Sequence, residues 1–324
     1  MELKNLTFLI GIFLFIVILF NINIKETISI LQGINIYLLL LLLFLRFIYV
    51  LVKSISWKTL LSAKKIEIST YKSFWIYSIG LFIGMVTPGR VGDLIRVVYL
   101  KKDNIEIKKS LITVIIDRIF DLSLLFLLGY ISMFFLMEIF MKNIYYLSVF
   151  IVLSIILILI VITNRRSTDK LLVFIINKII PKKYKIKAHT EYKGFLGEIK
   201  SIKTRKLFTA FLISIIAWIL YYFQMYLAVL ALKINISFIY VIIIISIAGL
   251  VNLIPISLSG IGSRDLAFIY LFAYVGLSKE IAVSYSLLYL FLIFFAAIIG
   301  MFFWIKNPIS IKKAVQSKNK QDIY

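Results

Sequence analysis

Two short interruptions bring charge into an otherwise apolar chain. They read Thr87-Pro88-Gly89-Arg90-Val91-Gly92-Asp93-Leu94-Ile95-Arg96 and Pro255-Ile256-Ser257-Leu258-Ser259-Gly260-Ile261-Gly262-Ser263-Arg264-Asp265. Each combines a helix breaker, glycines, an arginine and an acid. Arginine offers a planar fork that grips phosphate or carboxylate through two hydrogen bonds. Helices starting after the breaks, near Val91 and Ser263, would present unpaired backbone N–H groups and a positive dipole end. Together these make an anion site, such as one for a lipid phosphate. Arg90 and Arg264 are the expected ligands of that anion. Asp93 and Asp265 would orient the arginines or carry protons. Ser257 and Ser259 would hydrogen-bond a headgroup or satisfy the broken backbone. Pro88 and Pro255 break the helices, and Gly89, Gly92, Gly260 and Gly262 permit tight turns and close approach.

A third group sits in an unbroken apolar run. Asp117 and Asp121 are one helical turn apart and share a face, with Arg118 about a quarter turn away. Asp93 and Arg96, three apart, can also share a face. Lysines outnumber arginines 29 to 8, yet the basic residues assigned to membrane depth are all arginine: Arg46, Arg90, Arg96, Arg118 and Arg264. Each such charge costs ~2.5–3.5 kcal/mol at a helix centre on the insertion scale, so these groups should face inward and pair. Arg46, seven residues before Lys53, is expected to snorkel to the inner surface instead. Without it the set is four arginines and four aspartates. For Asp117, Arg118 and Asp121 two readings stay open: contact with substrate, or ion pairs that lock helices together with no ligand. A third use, acid–base chemistry or Mg²⁺ binding by Asp117 and Asp121, lacks an accompanying nucleophile–base set or Asp-rich motif. No catalytic residue, metal or cofactor is therefore expected. The absence of cysteine excludes disulfides and thiolate sites, and the single histidine, His189, lies in a Lys-rich loop.

The elements that must position these groups follow from hydropathy. The chain is 62% hydrophobic with a mean hydropathy of +1.03, well above a soluble domain. Spans are expected at Leu6–Phe20, Ile34–Val52, Ser110–Met137, Ile144–Thr163, Leu207–Ala231 and Ile281–Ile305. The first is read as a retained helix, because no small-residue cleavage signal follows it. The arms of the first interruption, Ser73–Val86 and Val91–Leu100, would reach only ~21 and ~15 Å as helices, short of a ~30 Å core. Those of the second, Phe238–Ile254 and Ser263–Val275, reach ~25 and ~20 Å. Both are read as re-entrant hairpins, the second with two tilted spans as its alternative.

Charge sets the sidedness. The N-terminus, the loops at 53–72, 101–109 and 164–206 and the tail from Lys306 hold 28 basic residues. The opposite side holds Lys25, Lys142, Lys233 and Lys279. That asymmetry places both termini in the cytoplasm of a plasma-membrane protein. The net charge of +22 thus faces anionic lipid headgroups rather than nucleic acid. One transmembrane domain, 1–309, is expected, with a first repeat at about 6–137, a second at about 144–305, a basic loop at 164–206 and a Lys-rich tail at 310–324. The two repeats start from opposite sides, which is an inverted repeat. An amphipathic stretch from Lys170 to Ile180 would lie along the inner surface. Trp57, Trp75, Trp218 and Trp304 are read as interface or packing residues.

At these residues the chain resembles the flippase-like family that includes the transmembrane region of lysylphosphatidylglycerol synthase. The resemblance runs from Trp57-Lys58-Thr59-Leu60-Leu61 through Thr87–Arg96 and Asp117-Arg118-Ile119-Phe120-Asp121 to Pro255–Asp265 and Gly276-Leu277-Ser278. The family pattern has glutamate where this chain has Asp93, Asp117 and Asp265, which shortens each carboxylate by one methylene. The resemblance implies an all-α polytopic membrane protein, with about six full helices and two re-entrant hairpins, that translocates a polar lipid between leaflets. Candidate lipids are aminoacylated phospholipids and polyprenyl-phosphate-linked sugars. Partners would be phosphate-bearing lipids and a membrane glycosyltransferase or lipid-synthesis enzyme. The sequence ends at Tyr324 without the soluble aminoacyl-transfer domain of full-length synthases, so aminoacyl-lipid synthesis by this chain is not expected. Rival readings are a membrane enzyme acting on a lipid phosphate or glycolipid, and an accessory subunit of a glycosyltransferase.

Overall fold

A computed structural model describes residues 13–136, 202–253 and 260–308. The expected span Ile144–Thr163, nearly all of the 164–206 loop, the 310–324 tail and Pro255, Ser257 and Ser259 lie outside the described residues. Within them every regular element is helical. The order is α1 (Phe13–Phe20), α2 (Ile24–Gln32), α3 (Ile36–Ala63), α4 (Thr70–Met85), a 3₁₀ turn (Pro88–Leu94), α5 (Ile95–Lys101), α6 (Ile107–Phe135), α7 (Thr204–Ala231), α8 (Phe238–Leu253), α9 (Ser263–Tyr274) and α10 (Lys279–Lys306). Helices α3, α7 and α10 are long and apolar enough to cross a membrane, each 28 residues or about 42 Å. Helix α6 matches them with 29 residues, but Asp117, Arg118 and Asp121 sit in its middle. Helices α1 and α2 meet at a 91° bend.

Among the described residues the outward faces of α7 and α10 carry long apolar stretches. Phe208, Leu212, Ile216, Ile219 and Phe223 on α7, and Phe291, Phe294, Ile298 and Phe302 on α10, are all exposed. Such continuous apolar faces are lipid-facing surface rather than solvent-facing surface. Inside, small polar residues let helices approach and bond across. The Ser56 hydroxyl donates to the Ala210 carbonyl (2.8 Å), and the Gln224 amide donates to the Leu42 carbonyl (2.6 Å), tying α3 to α7.

The two halves repeat one pattern. Helices α3 and α7 are both 28 residues and each closes on a lysine in the left-handed region, Lys65 and Lys233, both with φ 59°. After each lysine, an isoleucine N–H bonds back to the last helical turn: Ile66 to Leu61 (2.9 Å) and Ile234 to Val229 (3.1 Å). Then follow α4 and α8, both 16 residues, a break, a short helix, and a long one. Packing obeys the same exchange. Helix α3 packs on α7, α4 on α10 and α8 on α6. A glycine sits at each crossing of the last two kinds. A Cβ on Gly300 would lie 2.0 Å from the Ser78 carbonyl of α4, and one on Gly129 would lie 2.5 Å from Leu250 of α8.

Two expectations are corrected here. The second span does not end at Val52: α3 runs on to Ala63, since no glycine or proline interrupts it and Lys53 is a good helix former. Lys53 therefore lies inside the bundle rather than in a loop. The arm after the first break is not helical from Val91, because a 3₁₀ turn occupies Pro88–Leu94 and the α-helix starts only at Ile95.

Candidate functional site

The first break is shaped by its own sequence. Pro88 occupies the start of the 3₁₀ turn, where its missing N–H costs nothing. The Thr87 hydroxyl donates to the Ile83 carbonyl (2.9 Å) and accepts from the Gly92 N–H (2.8 Å). Gly92 is required there, since a Cβ would lie 2.4 Å from the Ile83 carbonyl oxygen. Arg90 takes a left-handed backbone, φ 57°, and its side chain is exposed. Gly80 and Gly84, one turn apart on α4, form a notch. The Arg96 stem lies over the first and the Asp93 carboxylate over the second, 2.9 and 2.6 Å from where a Cβ would be. The break therefore folds its charged side chains back along α4.

Those side chains meet α3 and α6 in one ionic network. Lys53 is completely buried and uses all three of its N–H donors, to Asp117 (3.0 Å), Asp121 (2.7 Å) and the Ser214 hydroxyl (3.1 Å). The other Asp117 oxygen accepts from Arg96 (2.9 Å), whose Nε donates to the Asp93 carbonyl (3.2 Å). The Arg96 guanidinium is flanked by the rings of Trp57 and Tyr77, 5.1 and 4.8 Å away. Arg118 pairs with the Asp93 carboxylate. Asp121 also accepts from the Trp218 indole (3.0 Å). Pairing of this kind is what makes buried charge tolerable.

The second break builds a smaller, closed group. The Arg264 side chain is bound by its neighbour Asp265 (2.7 Å) and by Ser286 (3.2 Å), and it lies 4.7 Å from the Tyr289 ring. Asp265 accepts from the Gly262 N–H (2.8 Å) and from Ser286. The N-terminus of α9 is thus capped by its own carboxylate instead of being open to an anion. Arg264 is 2% exposed, and the void beside it is about 10 Å³, at most one water. In this conformation Arg264 is not offered to a ligand. Gly260 and Gly262 take φ +80° and +89°, the left-handed geometry expected of them.

Between the two groups lies an aromatic bridge. Tyr49 and Tyr221 are 5.9 Å apart, Trp218 and Tyr221 5.8 Å, and the Tyr221 hydroxyl donates to that of Tyr289 (3.2 Å). Tyr49, Arg118, Asp121, Trp218, Tyr221 and Tyr289 all remain partly accessible, and Arg90 is exposed. These accessible polar side chains come from the middle stretches of α3, α6, α7 and α10.

Of the residues singled out from sequence, Arg90, Asp93, Arg96, Asp117, Arg118 and Asp121 come together at the first break, while Arg264 and Asp265 stand apart. Arg46 does not snorkel. It is 8% exposed, and its guanidinium lies 5.1 Å from the Tyr49 ring. Lys53, Ser214 and the hydrogen-bonding role of Trp218 were not anticipated. The available signal was spacing: Arg46, Lys53 and Trp57 fall on one face of an uninterrupted helix.

An all-α bundle with lipid-facing outer surfaces and a paired ionic network at a broken helix defines a multi-pass membrane protein with a polar interior. The family model described as the lysylphosphatidylglycerol synthase TM region matches residues 6–300, and the chain belongs to that family. It is similar to the UPF0104 membrane protein PH1989 of Pyrococcus horikoshii, 27% identical over 305 residues, covering 88% of this chain and 91% of the relative. It is also similar to the UPF0104 membrane protein MJ1078 of Methanocaldococcus jannaschii, 26% identical over 224 residues, 68% of this chain and 91% of the relative. No solved structure matches the chain.

Proposed function

We propose that this protein translocates a lipid with a phosphate-bearing polar headgroup, such as an aminoacylated phospholipid or a polyprenyl-phosphate-linked sugar, between the leaflets of the plasma membrane. It does so without making or breaking a covalent bond. The observation behind this reading is the first break. It leaves Arg90 exposed among mid-helix polar groups, beside a network that has already neutralised its other cations. A headgroup entering there meets one open guanidinium, a partly exposed Arg118 paired with buried Asp93 and a row of tyrosines, while its chains stay among the apolar outer faces. Asp117 and Asp121 are committed to Lys53, Arg96 and Trp218. That occupancy supports a scaffold role over acid–base chemistry.

The duplicated helix pattern supports the inverted repeat, with about six crossings, two re-entrant breaks and both termini cytoplasmic. Rocking of one repeat against the other would expose these polar groups alternately to each leaflet. The absence of native cysteine makes sidedness measurable: single cysteines at Lys65 and Lys233, equivalent exposed turns, are labelled from opposite sides of the membrane in this topology. Labelling of both from one side removes the inversion. Function is tested in liposomes carrying the purified protein and a fluorescent anionic phospholipid. Wild type moves lipid between leaflets. R90A removes an exposed side chain that has no ion-pair partner among the described residues, so it folds normally and moves lipid at least about tenfold more slowly. Unchanged movement by R90A at equal incorporation rejects the role given to Arg90.

A further inference from the structure

The interior charges do not balance. Lys53, Arg46, Arg90, Arg96, Arg118 and Arg264 are six cations, against four carboxylates, Asp93, Asp117, Asp121 and Asp265. Four of the cations are in ion pairs: Lys53 with Asp117 and Asp121, Arg96 with Asp117, Arg118 with Asp93, and Arg264 with Asp265. Among the described residues no carboxylate pairs with Arg46 or Arg90. For exposed Arg90 this is unremarkable. For Arg46 it is not, because the residue is 8% exposed and its Nε is buried with no hydrogen-bond partner. Buried arginines are normally fully bonded, and an orphaned donor there needs an explanation.

The surroundings of Arg46 supply one. It stands on the face of α3 that also carries Tyr49 and Lys53, two turns before Lys53. Lys53 is saturated, whereas Arg46 has only the Tyr49 ring. Tyr49 is the common neighbour: Arg46, Arg90, Lys53 and Asp121 all lie within electrostatic range of its hydroxyl. Of the four, only Asp121 is negative, and it is already shared by Lys53 and Trp218. Two guanidinium groups with no carboxylate partner among the described residues therefore have one partly accessible tyrosine as a common neighbour, Arg46 at 5.1 Å from its ring and Arg90 at longer range.

We propose that Arg46 and Arg90 together form the receptor for a phosphate monoester or diester, with the Tyr49 hydroxyl as an additional donor. This rests on the reading of the polar groups beside the first break as a headgroup site, and it replaces Arg264 with Arg46 as the second cation. The pairing is chemically apt. A phosphate brings one to two negative charges and several acceptor oxygens, enough to satisfy both forks and the orphaned Nε. A carboxylate built into the protein would have closed the site permanently, as Asp265 does for Arg264.

The test uses the purified full-length protein in detergent, titrated with lysophosphatidic acid in one arm and inorganic phosphate in the other. Bound adducts are read by native mass spectrometry. Wild type binds one lysophosphatidic acid, and R46M weakens it about 10–100-fold, the range for loss of hydrogen bonds to a charged group. R46K keeps the charge but not the fork and falls between them. R90A weakens binding to a similar degree. Inorganic phosphate binding as tightly as lysophosphatidic acid identifies a free anion as the ligand, and preference for the lipid identifies a headgroup. The melting temperature of ligand-free R46M is equal to or above wild type, because an uncompensated buried cation has been removed. Binding by R46M or R46K at wild-type affinity overturns the proposal, as does loss of thermal stability in R46M with binding per folded molecule unchanged. The two readings separate cleanly. Arg46-dependent binding with no lipid movement by wild type leaves the receptor and removes translocation, while lipid movement with Arg46-independent binding does the reverse.

Discussion

The first and second breaks share an arginine, an acid and glycines, yet they organise charge in opposite ways. At the second, Arg264 and Asp265 are sequence neighbours and close on each other, with Ser286 completing a small sealed group. At the first, no side chain pairs within the turn. Asp93 reaches Arg118 on α6, Arg96 reaches Asp117, and Lys53 of α3 holds both Asp117 and Asp121. One break pairs its own arginine with the next residue, and the other joins three helices and leaves exposed Arg90 without a carboxylate among the described residues. The lesson is that the same residue types are tied within one turn or across the bundle according to whether the carboxylate is adjacent in sequence or supplied by another helix.

The largest expected effect tests the junction. Asp117→Ala removes the carboxylate bound to Arg96 and leaves Lys53 with Asp121 alone, and breaking a buried pair from one side costs about 3–5 kcal/mol. In detergent, D117A is expected to yield little folded protein by size exclusion. Asp265→Ala removes the carboxylate bound to Arg264, which keeps its bond to Ser286, and uncaps α9, with an expected loss near the lower end, about 3 kcal/mol, and no change in phosphate binding by the folded fraction. If D265A costs more than D117A, the junction is not the more connected of the two.

The equivalent glycines sharpen the comparison at smaller magnitude. Gly300→Ala drives a methyl group against the Ser78 backbone carbonyl, which cannot step aside, for about 1–3 kcal/mol. Gly129→Ala meets the end of the Leu250 side chain, which can rotate, and should cost less than about 1 kcal/mol. Thermal melting in one detergent ranks the two. Equal losses would mean that the α6–α8 crossing is as rigid as the α4–α10 one. Trp218→Phe removes one donor from Asp121 while keeping the ring, for about 1 kcal/mol.

Much of this was legible beforehand. Hydropathy identified the helices, and the breakers located both turns to within a few residues. The need to pair charge inside an apolar medium grouped Asp93, Arg96, Asp117, Arg118 and Asp121. Lys53 was misplaced because a charge at the edge of an apolar run reads as the end of a span. Only the partners waiting on α6 and α7 make it cheaper to continue the helix. Arg46 was taken for a snorkelling residue for the same reason. Its distance to the helix end depends on where α3 stops, and α3 stops eleven residues later than expected, at Ala63 instead of Val52. Gly80 and Gly84 passed as ordinary helix residues, because a notch has no meaning until something lies in it.

Composition and local pattern alone determined that this chain is a helical membrane protein, with two broken helices and arginine at each break. These follow from the cost of unpaired backbone and bare charge in hydrocarbon, which any fold of this sequence must meet. Which of the described membrane-depth arginines are paired with carboxylates was decided only in three dimensions. Pairing depends on distances across α3, α6 and α7, and no spacing along the chain encodes those.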